Sequence, residues 1–175
     1  MASRQLTDLT PAMRAKAEAI RAACAKNGVD LLIYCTLRDP YEQARHYRKS
    51  RTIQQIIAKA HELTDRGYHN LANVLIHVGP QPGKIGRHIT WAGPGESWHQ
   101  YRQAFDAVPM CEGKCLWSFE DYQEEWEIYG QAVEAAGLRW GGRFRDYPHA
   151  QSSQRDNPLD VLSYDQVTAQ LIIDI

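Results

Sequence analysis

Two stretches of helical period, one near each end of the chain, bracket a middle that follows no βαβα rhythm. Met13, Ala17, Ile20 and Cys24 recur at steps of four, three and four, which lays them on one helical face. Thr10 can cap that helix, Pro11 suits its first turn, and Asn27-Gly28 ends it. Near the other end Tyr122, Trp126, Tyr129, Val133 and Ala136 form a second such stripe, with Ser118 expected as its cap and Gly137 as its stop. Between them, Leu31–Thr36 is an apolar run of strand length. Asp39-Pro40-Tyr41-Glu42 has the form of a capping box, which predicts a helix towards Lys49. Ile53, Ile56, Ile57 and Ala60 predict another helix with those four on one face. Tyr68–Val78 fits helix or strand equally, and Gly79–Gly83 must be loop. From Lys84 to about Leu116 short β-like pieces alternate with Gly-rich turns, and a short apolar element follows near Val167–Ile173. Mixed helices and strands without a crossover rhythm predict an α+β fold: a small antiparallel sheet flanked by helices.

Composition narrows the function classes. At 175 residues the chain is long enough for one domain with a real core, and its 43% hydrophobic and 23% charged residues exclude wholesale disorder. Twenty Lys+Arg against 21 Asp+Glu leave no basic surplus for nucleic acid. The most apolar run, Val29–Cys35, falls far short of the roughly 20 residues of a bilayer span, so no membrane insertion is expected. The N-terminal MASRQLTDLT lacks an apolar segment, which predicts synthesis in the cytoplasm without a signal peptide. Four cysteines are too few for a disulfide scaffold. Cys24 and Cys35 read as small core residues, and Cys111 and Cys115 as two thiols facing each other across a hairpin turn.

Of the seven histidines, His46, His61, His69, His77 and His88 lack a partner at ligand spacing. His99 and His149 belong instead to compact polar clusters among glycines and aromatic residues. His99 and Asp106 are seven apart, and Asp106 opens an apolar strand where an unpaired carboxylate is costly to bury. Asp146 and His149 are three apart, so one can bind a metal while the other faces the attacking water. Two histidines and one carboxylate leave the fourth position of a tetrahedral zinc open, the usual layout of a hydrolytic site. On spacing alone the two clusters are either halves of such a site or two unrelated polar turns.

The motifs Ser97-x-His99-x6-Asp106, Trp140-Gly141-Gly142 and Asp146-x-Pro148-His149, in that order, resemble the zinc D-alanyl-D-alanine carboxypeptidase / L-alanyl-D-glutamate endopeptidase family, which includes many phage endolysins. Leu37–Gln43 looks like that family's arginine-bearing strand end and following helix. Arg51-Thr52 and Pro82-Gly83-Lys84-Ile85 look like the loop before its metal motif, and Phe105–Pro109 with Glu112-Gly113-Lys114 looks like its metal-bearing hairpin. The resemblance implies one zinc, Zn2+, over the sheet in a cleft, held by His99, Asp106 and His149. It implies Asp146 as general base and Arg38 as the group that stabilises the oxyanion, with a surface ion pair to Asp39 or Glu42 as the plainer reading of Arg38. Ser97 would fix the His99 loop or touch substrate. Trp98, Tyr101, Trp140 and Tyr147 either line the cleft or simply pack the core.

Two departures stand out: Arg102 replaces a glycine common in relatives, and the segment at about 53–81 reads as a helical insertion into a single 1–175 catalytic domain. The implied function is hydrolysis of the peptidoglycan stem peptide by a monomer, most simply as an L-alanyl-D-glutamate endopeptidase serving as a phage or prophage endolysin released to the cell wall. The alternatives are a D-alanyl-D-alanine carboxypeptidase or dipeptidase, and a non-catalytic zinc-containing binding module. Asp146 argues against the last, since a pseudo-enzyme has no need of a carboxylate there.

Overall fold

A computed structural model describes residues 2–49, 51–78 and 89–171. In chain order the elements are α1 (Pro11–Lys26), β1 (Asp30–Cys35), α2 (Pro40–Arg48), α3 (Ile53–Asp65), α4 (His69–His77), β2 (Ala104–Cys111), β3 (Lys114–Cys115), α5 (Gln123–Ala135), β4 (Arg139–Trp140), β5 (His149–Gln151) and α6 (Tyr164–Gln170). The expected loop at Gly79–Gly83, the segment Pro82–Ile85 and His88 lie outside the described residues. The chain divides into two compact units, Ala2–Leu37 with Arg102–Gln154, and Arg38–Tyr101 with the segment from Arg155 onwards. Helices and an antiparallel sheet together make the fold α+β, as the sequence predicts. No helix among the described residues is long and apolar enough to cross a membrane.

The first unit is built on the sheet. Its strands run in the order β1-β2-β5-β4, with β3 hairpinned onto β2, and every pairing is antiparallel. Strand alternation gives the two faces different chemistry. Leu31 and Ile33 of β1, Phe105 and Ala107 of β2 and Ala150 of β5 share one face. They form the core with Met13, Ala17, Ile20 and Cys24 of α1 and with Trp126, Tyr129 and Val133 of α5. The stripe read from the sequence of α1 is thus the buried one, and Thr10 accepts a hydrogen bond from the Met13 N–H as its cap. Burial pushes the Cys24 thiol up to about 11, which keeps it an unreactive core group. The opposite face carries Asp106, His149 and Gln151.

Three expectations in this unit are corrected. Helix α5 starts at Gln123 with Tyr122 as its cap, whereas Ser118 caps an earlier turn by accepting the Asp121 N–H. Cys111 pairs with Lys114 and Cys115 with Met110, so the two thiols occupy adjacent, opposite-facing ladder positions and do not face each other. Asp106 is the third residue of β2 rather than its opening.

The second unit is helical. Helix α2 is capped by Asp39, which accepts the Glu42 N–H at 2.7 Å, and α3 by a reciprocal box between Thr52 and Gln55. The ambiguous stretch from Tyr68 resolves into α4, so the segment expected as an insertion supplies two helices. Along α3 the buried stripe is Ile56, Ala60 and Leu63, while Ile53 and Ile57 are 42% and 41% exposed, a shift from the face read in the sequence. Arg48 reaches from α2 to the last carbonyls of α4, donating to Leu75 O and Ile76 O, where helix ends otherwise leave acceptors unpaired. Of the apolar element expected near Val167–Ile173, the described part overlaps the end of α6, which has its own capping box between Ser163 and Gln166, and Ile172 and Ile173 lie outside the described residues.

One contact decides whether a helix glycine is there for propensity or for space. A Cβ on Gly130 of α5 would stand 2.4 Å from the Trp140 ring. Replacing a helix-interior glycine by alanine ordinarily gains about 1 kcal/mol, whereas overpacking a core costs about 1–3 kcal/mol. Gly130→Ala is therefore expected to lower the melting temperature; a value at or above that of the wild type would show that the indole can move aside freely.

Candidate active site

The polar face of the sheet starts from a register. In β2 and β5 Asp106 stands directly opposite His149, and in β1 and β2 Cys35 stands opposite Asp106, so the three form a row across the strands. A bulge between Ile33 and Cys35 sets the end of this row. Without that extra residue Tyr34, not Cys35, would face Asp106. His149 Nδ1 lies 3.1 Å from Asp106 Oδ1, and both residues are buried. Cys35 Sγ lies within 4.8 Å of a carboxylate oxygen of Asp106. On its other side His149 Nε2 is 2.9 Å from Gln151 Oε1, and Gln151 in turn donates to the Ser153 carbonyl at 2.7 Å.

Asp146 belongs to the turn that feeds β5. Its N–H donates to the Gly141 carbonyl at 2.9 Å, and its own carbonyl accepts the His149 N–H at 3.0 Å. The turn is exposed at Asp146 and buried at His149. It also explains Gly141: a Cβ there would stand 2.1 Å from Asp146 O and 2.8 Å from His149 Cβ. Trp140 donates its indole N–H to Tyr147 O, and Tyr129 donates its hydroxyl to Pro148 O, so the turn is held from both sides. Burial, with the charges of Asp106 and Asp146 nearby, pushes the Tyr129 phenol well above its ordinary value, which keeps it a donor. Trp140 is core and Tyr147 stacks on Phe119 at 3.9 Å, so these aromatic residues serve packing. Arg102 takes the left-handed backbone conformation (φ 61°) that suits a glycine, and its guanidinium binds the carbonyls of Thr7 and Asp8.

His99, Ser97 and Arg38 fall in the helical unit. His99 lies in a buried single 3-10 turn, Trp98–Tyr101, and its carbonyl accepts the Arg38 N–H at 3.4 Å. The Arg38 guanidinium donates to Gln43 Oε1 at 3.0 Å, and Gln43 is anchored by donating to Ala92 O at 2.7 Å. The approach to the turn is equally fixed. Glu96 accepts from Gly93 N, Lys59 Nζ and Asn157 Nδ2, and Gly95 at φ 85° leaves no room for a Cβ beside Leu71. Ser97 is buried and its carbonyl accepts the Gln100 N–H. Trp98 and Tyr101 are core residues here, hydrogen-bonded to Arg155 O and Gly95 O.

Asp106 and His149 suit a metal on chemistry and distance. Two donors each about 2.0–2.1 Å from a tetrahedral zinc stand roughly 3.3 Å apart, close to the 3.1 Å observed. Sequence spacing found both residues but missed Cys35, Gln151 and Gln43. Gln151 carries a local signal, two residues after His149 on a strand and hence on the same face; Cys35 and Gln43 carry none, because only tertiary pairing places them.

Comparison with known proteins finds similarity to the family that the sequence motifs resemble. The family model described as D-alanyl-D-alanine carboxypeptidase matches residues 91–152, the segment from the approach to His99 through β5. Over that segment the chain is similar to this family of peptidases. It is 28% identical over 152 residues to the peptidoglycan L-alanyl-D-glutamate endopeptidase CwlK of Bacillus subtilis (strain 168), covering 82% of this chain and 72% of the relative. Among solved structures, the L-Ala D-Glu endopeptidase ChiX of Serratia marcescens superposes with a TM-score of 0.42 at 17% identity, over 89% of this chain and 91% of that one.

Proposed function

We propose that the chain is a zinc peptidase that hydrolyses the stem peptide of bacterial peptidoglycan between L-alanine and D-glutamate, acting as a monomeric phage or prophage endolysin. The observation that carries the reading is the buried Asp106–His149 pair with an exposed carboxylate, Asp146, fixed three residues before His149. The likeness to the Bacillus endopeptidase supports the choice of bond. His99, by its place in the motif, joins Asp106 and His149 as the third ligand.

When bound, zinc would acidify a water molecule and polarise the scissile carbonyl. The remaining steps belong to side chains. Asp146 takes a proton from the attacking water and returns it to the leaving amine, a task that suits a solvent-facing carboxylate held by backbone hydrogen bonds on both sides. Arg38, oriented by Gln43, complements the charge that develops on the carbonyl oxygen as the carbon becomes tetrahedral. Ser97 steadies the turn that carries His99 or contacts the peptide.

The description of the matching family favours a second reading, removal of a terminal D-alanine. Mass spectrometry of digested peptidoglycan separates the two. A new N-terminal D-glutamate is expected; loss of one terminal D-alanine would assign the carboxypeptidase instead, and unchanged fragments would overturn both.

The roles on the β5 turn are separable as well. Asp146→Ala is expected to keep its zinc and its fold while turnover falls about 10²–10⁴-fold, the usual contribution of a positioned proton-transfer group. His149→Ala should lose zinc itself, because it removes one of three protein ligands. Zinc content and turnover measured side by side decide it. Loss of zinc from Asp146→Ala would make that residue a ligand, and near-normal turnover would move the base elsewhere.

A further inference from the structure

We propose that Gln151 is a positioning residue that sets the tautomer of His149, so that Nδ1 is the atom presented, beside Asp106, to a metal. This inference rests on the zinc reading above. Three linked hydrogen-bonding choices lead to it.

The chain of choices begins at a backbone carbonyl, which can only accept. Gln151 has its amide 2.7 Å from Ser153 O, so the nitrogen must face Ser153 and the oxygen must face the other way. That oxygen lies 2.9 Å from His149 Nε2 and can only accept in turn, so Nε2 carries a hydrogen. A neutral imidazole protonated at Nε2 has its lone pair on Nδ1. Nδ1 is the atom 3.1 Å from the Asp106 carboxylate, so two acceptors are aimed at one another. Such an arrangement is repulsive unless a cation stands between them, or a second proton makes His149 an imidazolium. Gln151 and His149 lie on the same face of β5, and all three side chains are buried, which protects the relay from competition by solvent.

The strand geometry makes the relay specific. Gln151 stands opposite Ala104 of β2 and Arg139 of β4, so its backbone is fixed by ladders on both sides. An acceptor on the distal nitrogen of a ligating histidine both orients the ring and raises its basicity, and losing it typically costs 10–100-fold in metal affinity. Asparagine would be too short for the span and methionine, of similar length, has no strong acceptor.

The test uses the full chain, first stripped of metal and then titrated with zinc against a chromophoric chelator. Gln151→Met is expected to bind zinc about 10–100-fold more weakly than wild type, with an unchanged melting temperature for the metal-free chain. Gln151→Glu keeps an oxygen for Nε2 and should recover most of that loss. In the zinc-loaded wild type, long-range 1H–15N spectra should show His149 protonated at Nε2 and ligated through Nδ1, a signature that a merely structural glutamine would not produce. If Gln151→Met fails to fold, the wild-type spectrum and Gln151→Glu still decide the matter. Wild-type-like affinity in Gln151→Met, or a hydrogen on Nδ1 with zinc on Nε2, would overturn the proposal while leaving the zinc site standing. A wild-type chain that binds no zinc would overturn the underlying reading and this inference together.

Discussion

The pairing of β2 with β5 is the constraint on which the rest depends. It brings Asp106 and His149, 43 positions apart in the chain, to 3.1 Å with no contribution from loop flexibility. Side chains alternate along a strand, so a slip of β5 by one residue in that register would send His149 to the apolar face, away from Asp106, and bring Ala150 out. The apolar face is therefore what keeps the polar face in place. Burial of Phe105, Ala107 and Ala150 against α1 and α5 fixes the register, and the register fixes the site.

Keeping two acceptors buried side by side has a cost that an apolar pair would avoid. Burying a carboxylate requires a compensating partner, which a zinc ion held between Asp106 and His149 would supply. The β5 turn adds a second layer of control. Gly141, the Trp140 and Tyr129 donors and the Asp146 backbone bonds leave the turn one geometry, with His149 facing in and Asp146 facing out.

Local features of this fold were legible in the sequence and pairwise ones were not. Helix α1 could be read in full because its stripe, cap and stop all lie within a few residues of one another. The start of α5 could not, because Ser118 makes the same kind of bond to an N–H three residues on whether or not a helix continues. On α3 the apolar run Ile53, Ile56, Ile57 admits more than one stripe, and tertiary packing selects the one through Leu63. The ligand candidates were legible from polar residues standing in apolar or glycine-rich surroundings. Cys35 reads as core in the sequence and is buried, but its place opposite Asp106 follows from a bulge that no local pattern announces.

That cysteine offers the most direct check on the ligand set. Zinc binds thiolate more readily than carboxylate in many sites, and the Cys35 sulfur lies within 4.8 Å of Asp106. X-ray absorption at the zinc edge, on the full chain loaded with one equivalent, distinguishes the donors by bond length. A ligand set of His99, Asp106 and His149 predicts only nitrogen and oxygen neighbours, at about 2.0–2.1 Å. A sulfur neighbour at about 2.3 Å would put Cys35 on the metal and contradict the account.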